Sequence, residues 1–365
     1  MGGRGGKRRI LLLSRYASVG PSSRVRFYQY LPYLRDHGVE VTVAPLLDGS
    51  YMADRYAHRP VRTGSILRGY QRRLRAVAGQ RKFGLLWIEG ELWPLLPAWG
   101  EIALSRLEVP TVVDYDDSIF HRYDLHRRWI VRGLLGRKID TVMRSASAVT
   151  VGNRYVAERA RSAGARRIIP LPSVVDLDRY RAAQQRHKGV FTIGWIGSPT
   201  SARHLEMIAP ALAALCAGGR ARLLLVGSGP VRLPGVEAEV VAWSEETEVA
   251  RLQQFDIGIM PLSDDPIARG KSGYKLVQYL ACGLAAVASP VGANRDIVEN
   301  GVSGLLAGTT SEWVSAIERL RSDEDLRLRL GAAGRKKVAA EYSLQVTAPR
   351  LLSLFCELLA DGGER

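Results

Sequence analysis

The residues best suited to chemistry are two lysines, Lys271 and Lys275, that follow a short apolar run and a polar loop. The run Ile257–Met260, bounded by Asp256 and Pro261, is typical of a buried parallel strand. The two lysines lie one helical turn apart where a helix is predicted to begin, so both ammonium groups and the free N–H groups of the first turn can face one anion. This pattern favours a diphosphate site; the alternative is a solvated helix face.

The elements that must position these lysines follow in order. The predicted helix ends at Gly283, where a left-handed cap is expected. Ala285–Ser289 is a predicted strand, and the loop after it contains Gly292 and Asn294. A further helix is predicted to begin at 296–299. Because ligands of open α/β sheets bind beyond the carboxyl ends of the strands, these loops are predicted to form one site.

The residues Lys275-x-x-Gln278-Tyr279-x-Ala281-x-Gly283, with the segments VASPVG at 287–292 and IVENG at 297–301, resemble the donor-binding region of the retaining family 4 (group 1) GT-B glycosyltransferases. In that family two glutamates, eight positions apart, contact the donor sugar and the nucleotide ribose. Here Gly270 stands at the sugar position and Gln278 at the ribose position, where its amide can still bond a hydroxyl.

The resemblance implies an α/β GT-B fold: two Rossmann-like domains with parallel sheets that face an interdomain cleft, and a C-terminal helix that crosses back to the first domain. It implies an N-terminal acceptor-binding domain at 1–180, a C-terminal nucleotide-sugar-binding domain at 181–342 and the crossing helix at 343–365. A polar linker is predicted at 184–189. The implied activity is transfer of a sugar from a nucleoside-diphosphate sugar, with UDP or GDP favoured, to an acceptor hydroxyl, with retention and without a further cofactor or metal.

Further donor-binding candidates lie in the second half. Gly197 and Ser198 end a predicted strand, and Pro199 is suited to start a helix whose N–H groups bind an anion. Arg203 stands where the family often carries a phosphate-binding lysine. Gly227 ends the next strand. Trp243 could stack on the base, although burial in the core is the competing interpretation.

The first half carries candidates for acceptor binding and proton transfer. Arg24 and Arg26 stand at the start of a helix predicted from Arg24 to His37, where they could bind a phosphate or be ordinary surface arginines. Asp116 and Asp117, with His121, follow a predicted strand, Thr111–Asp114, and clustered carboxylates there favour a functional site; the alternative is helix capping. Asn153 follows another strand and is predicted to face the cleft.

Charge is unevenly distributed. Residues 1–185 hold 32 Lys and Arg against 16 Asp and Glu, so the whole net charge of +16 lies in the first half. This asymmetry indicates an anionic partner, either an acceptor or an anionic membrane. The stretch 66–82 is predicted to be a basic amphipathic helix with Ile66, Leu67, Tyr70, Leu74 and Val77 on one face. It could lie on a membrane or pack against its own domain.

The chain is predicted to be cytoplasmic, because its three cysteines are dispersed and no run of apolar residues reaches the length of a membrane span. Peripheral contact with the inner face of the membrane is an open alternative. Nucleic-acid binding is disfavoured because no aromatic residues are interleaved with the arginines. Two further functions stay open: a degenerate, non-catalytic GT-B protein that binds a nucleotide or a partner, and a GT-B sugar-nucleotide epimerase.

Overall fold

The computed structural model describes residues 8–56, 59–60, 63–107, 109–182 and 189–361, so residues 184–188 of the predicted linker at 184–189 lie outside the described residues. The chain divides into two compact units. The first comprises Met1–Ser173 with Thr347–Arg365, and the second comprises Val174–Val346. The chain thus leaves the first unit after Ser173, earlier than the predicted boundary near 180.

The first unit is built on a six-stranded parallel sheet in the order β2-β1-β3-β4-β5-β6. Its strands are β1 (Arg9–Leu13), β2 (Glu40–Val43), β3 (Leu85–Glu89), β4 (Thr111–Tyr115), β5 (Ala148–Val151) and β6 (Ile168–Pro170). Its helices are α1 (Pro21–Arg26), α2 (Leu31–Asp36), α3 (Gly49–Tyr56), α4 (Thr63–Ala78), α5 (Trp99–Ser105), α6 (His121–Asp124), α7 (Trp129–Leu135), α8 (Lys138–Ser145) and α9 (Arg154–Ser162). Strands β1, β3, β4 and β5 are largely apolar runs buried on both faces, as βαβ connections require, whereas the edge strands β2 and β6 are partly exposed.

The second unit repeats this plan with the strand order β12-β11-β10-β7-β8-β9, again all parallel. Its strands are β7 (Phe191–Ile196), β8 (Ala221–Val226), β9 (Ala238–Val241), β10 (Ile257–Met260), β11 (Ala285–Ala288) and β12 (Leu305–Leu306). Its helices are α10 (Pro199–Ala202), α11 (Ala209–Cys216), α12 (Glu248–Leu252), α13 (Pro266–Arg269), α14 (Tyr274–Ala281), α15 (Asn294–Ile297), α16 (Thr310–Ser322) and α17 (Glu324–Glu341).

The last helix, α18 (Leu344–Asp361), begins in the second unit and continues into the first, as predicted. Within the first unit, the ring of Phe355 packs 5.1 Å from that of Trp87, centroid to centroid. The hydroxyl groups of Tyr30 and Thr347 are 3.0 Å apart. Burial of large aromatic side chains therefore holds the C-terminal segment on the first sheet.

Two helix predictions are corrected. The single helix predicted from Arg24 to His37 is broken: α1 begins at Pro21 and ends at Arg26, a 3-10 turn follows, and α2 starts at Leu31. Pro32 has no N–H group and cannot continue a helix from the preceding turn, so the break precedes it. The helix predicted to begin at 296 is the short α15, which starts at Asn294 and ends at Ile297.

Candidate functional site

The carboxyl ends of the second sheet bring five loops together. A Cβ atom at Gly227 would lie 2.8 Å from the carbonyl oxygen of Gly197 and 2.9 Å from Cβ of Trp243, so only glycine permits this approach after β8. A Cβ atom at Gly292 would lie 2.4 Å from the carbonyl oxygen of Arg269. The glycines predicted as donor-binding residues are therefore the points where neighbouring strand-end loops touch.

Lys275 lies in the first turn of α14 and reaches the turn after β7. Its Nζ is 5.3 Å from the ring centroid of Trp195, a cation–π distance, and a Cβ atom at Gly197 would lie 2.6 Å from its Cε. Lys271 precedes α14, which begins only at Tyr274 after the left-handed Gly273. The prediction that both lysines lie on one helix is therefore wrong. Lys271 lies between the short helix α13, which ends at Arg269, and the start of α14.

A cationic cluster forms between these lysines and the α10 segment. Burial lowers the pKa of His204, and the nearby Arg203, Lys275 and Lys271 lower it further, whereas Asp265 opposes them. Arg203 is exposed and follows α10, which begins at Pro199 as predicted, with Ser198 exposed before it. Like charges repel, so a cluster of three cations around a neutral imidazole is suited to an anion. His204 was not predicted as a site residue. Its position directly after Arg203 in the sequence could have indicated it.

Gln278 lies at the centre of a buried polar network. Its Nε2 donates to the hydroxyl of Tyr180 over 2.9 Å, and that hydroxyl donates to Glu248. Glu248 also accepts from the indole Nε1 of Trp243 over 2.6 Å and from Arg179 over 3.3 Å. Burial, with Tyr274 and Glu248 nearby, raises the pKa of Tyr180 well above its ordinary value.

Trp243 is half-buried, packs against the hydrophobic core and donates to Glu248, so its stacking on a base stays a prediction. The sequence analysis missed Tyr180 and Glu248, since each stands alone in an unremarkable segment. Asn294 is buried; its Nδ2 donates to the carbonyl of Ser289 over 3.0 Å, while its Oδ1 has no partner among the described residues.

In the first unit, the predicted acceptor-binding residues Arg26 and Asn153 bond to other residues of the same unit. Arg26 is buried, and its guanidinium donates to both carboxylate oxygens of Asp114, at 2.9 and 2.5 Å, and to the carbonyl of Leu171. It lies in the last turn of α1, not at a helix start. The expected phosphate contact of Arg26 is therefore corrected to a structural ion pair. Arg24 lies in the same turn and is half-buried.

His121 is also committed to internal contacts. One ring nitrogen lies 2.8 Å from Asp124 and the other 2.8 Å from the hydroxyl of Tyr155. Asn153 caps α9 by accepting from the N–H of Val156, and it donates to the backbone carbonyl of Asp116. The structure thus gives His121 and Asn153 positioning contacts, and their contacts with a sugar or an acceptor stay predictions.

Asp116 differs from these residues because its pKa is raised into the neutral range. Burial and the neighbouring Asp117 raise its pKa to about 7, against the opposing effect of Arg26. A second carboxylate, Glu89, ends β3 and accepts from Ser23, from the N–H of Arg15 and from Ser22, at 2.6, 2.7 and 3.0 Å. Burial raises the pKa of Glu89 as well. Glu89 was not predicted, because it reads as the end of an apolar strand.

The described residues offer neither a metal-binding cluster nor a membrane-spanning helix. No group of three or more His, Cys, Asp or Glu in this part of the chain is arranged to hold a metal ion. No helix within the same ranges combines the length and apolar character that crossing a membrane requires.

Comparison with known proteins shows which family and which fold this chain is similar to. Residues 190–323 match the family model described as Glycosyl transferases group 1. The fold is the GT-B fold. Sucrose-phosphate synthase from Thermosynechococcus elongatus matches with a TM-score of 0.73 at 16% identity, covering 97% of this chain and 100% of that one. The Anabaena protein HepE, solved with UDP and glucose, matches with a TM-score of 0.69 at 16% identity, covering 96% and 100%. The resemblance to group 1 GT-B glycosyltransferases is thereby confirmed.

Curated relatives match over shorter stretches. N-acetyl-alpha-D-glucosaminyl L-malate synthase of Bacillus anthracis is 23% identical over 169 residues, 44% of this chain and 43% of the relative. D-inositol 3-phosphate glycosyltransferase of Thermobispora bispora is 28% identical over 159 residues, 40% of this chain and 34% of the relative. The matched region is therefore less than half the length of these relatives.

Proposed function

We propose that this chain is a glycosyltransferase that moves a sugar from a nucleoside-diphosphate sugar to an acceptor hydroxyl with retention of configuration. The observation that carries the proposal is the cationic cluster of Lys271, Lys275, Arg203 and His204 at the carboxyl edge of the second sheet. The names of the relatives, which are glycosyl-transfer enzymes, and the UDP and glucose bound to HepE support it.

The cluster suits the charge that develops in the reaction. When the bond between the sugar and the diphosphate breaks, negative charge accumulates on the leaving phosphate. Lys271, Lys275 and Arg203 would stabilise that charge, and fixed cations need no reorganisation at that moment. His204, kept neutral by its lowered pKa, can donate one hydrogen bond to a phosphate oxygen.

Gln278 is proposed to bind the ribose. Its Nε2 is held by Tyr180, so its Oε1 is proposed to accept from a ribose hydroxyl. A carboxylate at this position would accept in the same way, so the amide preserves the acceptor. Trp243, oriented by Glu248, is proposed to lie against the base.

The acceptor is proposed to use the first unit. Asp116, with its pKa near 7, can exchange a proton with an acceptor hydroxyl near neutral pH. The positive charge of this half favours an anionic or lipid-linked acceptor. We place the chain in the cytoplasm, at the inner face of a membrane; its free cysteines Cys216, Cys282 and Cys356 suit a reducing compartment.

The test is a thermal-shift panel of UDP, GDP, dTDP and ADP with their sugars, followed by turnover of the sugar that binds. A ligand that binds only the folded state raises the melting temperature, by linkage. Product with the donor's anomeric configuration, observed by NMR, is the expected result. Binding without turnover would favour the non-catalytic alternative, and epimerisation without an acceptor would favour the epimerase. Absence of binding by all four nucleotides would overturn the donor assignment.

A further inference from the structure

The first unit exposes an unusual set of large apolar side chains. Among the described residues, the six most exposed are Leu134, Trp129, Trp99, Leu95, Leu67 and Leu74, with 74, 73, 72, 63, 61 and 60% of their surface accessible. Two of these are tryptophans, which proteins ordinarily bury at least in part. Trp129, Ile130 and Leu134 lie on α7, which turns its Leu135 inward and these three side chains to solvent.

A strained loop lies beside α6 and α8, the helices next to α7. Leu95 has φ of 63°, the only positive value at a non-glycine residue in the described part of the chain. Such a conformation costs free energy and persists only where the surroundings enforce it. The backbone N–H of Leu95 donates to the hydroxyl of Tyr123 over 3.1 Å, and Tyr70 donates to the carbonyl of Pro94 over 2.5 Å.

Buried charges beneath the loop complete this support. Lys138 donates to the carbonyl of Trp93 over 2.6 Å and to Glu91 over 2.5 Å, and Tyr123 donates to the same carboxylate. Tyr123 belongs to α6 and Lys138 to α8, the helices on either side of α7. The polar cluster therefore joins the loop to α6 and α8, the helices that flank α7, and it holds Leu95 outward at a conformational cost.

Arginines surround these apolar residues. Arg122, Arg127, Arg128, Arg132 and Arg137 are all exposed, whereas the only acidic residue between 121 and 137, Asp124, is half-buried and paired with Arg159 at 3.1 Å. Beside α7 lies a cavity of about 500 Å³ whose charged lining is Arg132, Arg137, Arg144, Arg159, Asp124 and Asp140. Arg159 pairs with both aspartates, which leaves the lining with an excess of positive charge.

We propose that this surface, the docking face formed by Leu95, Trp99, Leu125, Trp129, Ile130 and Leu134 with its surrounding arginines, binds an anionic membrane surface, and that the adjoining cavity takes a lipid phosphate. Exposed tryptophans suit the boundary between headgroups and acyl chains, and arginines extend toward lipid phosphates. A second copy of this chain is the poorer occupant, since each copy carries a net charge of +16 and brings the same positive face. The proposal is independent of the donor site.

The experiment is co-sedimentation of the full chain with vesicles of phosphatidylcholine, with and without phosphatidylglycerol. Wild type is expected to bind only the anionic vesicles and to be released by salt. The variant W129S/L134S is expected to lose about tenfold or more in partition coefficient, because its apolar contact with the interface is removed. R127E/R128E is expected to lose about tenfold or more as well, and R137A about fivefold, from lost attraction to anionic lipid.

The matched control is L328S/R329E, which changes an exposed apolar–arginine pair on α17 of the second unit and should bind as wild type does. Circular dichroism melts establish that each variant is folded, and UDP binding reports the donor site separately. Equal binding to neutral vesicles, or full binding by W129S/L134S, would overturn the proposal. So would a lipid-free dimer, observed by sedimentation velocity, that W129S/L134S dissociates.

Discussion

The polar residues at the carboxyl ends of the two sheets are arranged differently. In the first unit, opposite or complementary groups are paired and buried, as in Arg26 with Asp114 and His121 with Asp124 and Tyr155. In the second unit, groups of like charge gather around His204. Complementary pairs satisfy one another, whereas a cluster of like charges is stabilised by a ligand of opposite sign. The comparison separates residues whose bonds hold the first unit together from residues that we propose bind the donor.

The largest expected effect is on stability, and it comes from breaking the ion pair between Arg26 and Asp114 in the first unit. Asp114→Asn removes the charge that offsets buried Arg26, so we expect the free energy of unfolding to fall by about 3–5 kcal/mol. Urea or thermal denaturation measures the change. The control is Asp36→Asn, which breaks an ion pair whose side chains are 77 and 63% exposed. We expect that variant to change stability by about 0–1 kcal/mol. Equal, small effects would contradict the structural role of Arg26.

The next effect tests the cluster of like charges. Lys275→Ala removes a cation from the proposed diphosphate site, so we expect nucleoside-diphosphate affinity to fall by about 2–3 kcal/mol, as for a lost charge-assisted bond. Isothermal titration calorimetry measures it. Lys336→Ala, an exposed lysine on α17, is the control and should bind normally. Should Lys275→Ala keep full affinity, the contrast between the two units would lose its functional meaning.

Asp116 tests whether one carboxylate of the first unit differs from its paired neighbours. Its pKa in the folded chain, about 7, exceeds that of an unfolded aspartate, so between about pH 4 and pH 7 the folded state binds more protons. Stability should therefore fall as pH rises through this window. Asp116→Asn should remove that decline, making the variant more stable than wild type at pH 8 by roughly 1 kcal/mol or more. Parallel pH–stability curves for both proteins would refute the raised pKa.

The sequence predicted the fold far better than the site. Apolar runs such as Leu85–Glu89 and Ile257–Met260 mark buried parallel strands directly, because burial on both faces leaves a continuous pattern. Lys275 could be predicted as a donor-site residue because it follows such a run. Arg26 was misassigned because its partner Asp114 lies on another strand, and Tyr180 and Glu248 were missed because only the folded chain joins them to Gln278.

The smallest expected effect sharpens the comparison, because it concerns a paired network inside the second unit. Tyr180→Phe removes the hydroxyl that links Gln278 to Glu248, so the Gln278 amide is free to turn and present its nitrogen to the ribose. We expect affinity for UDP to fall by about 0.5–1.5 kcal/mol, the worth of one hydrogen bond. Affinity for inorganic diphosphate, which has no ribose, should stay unchanged. An equal loss for both ligands would mean that Tyr180 supports the whole site rather than Gln278, and the network would then belong with the structural pairs of the first unit.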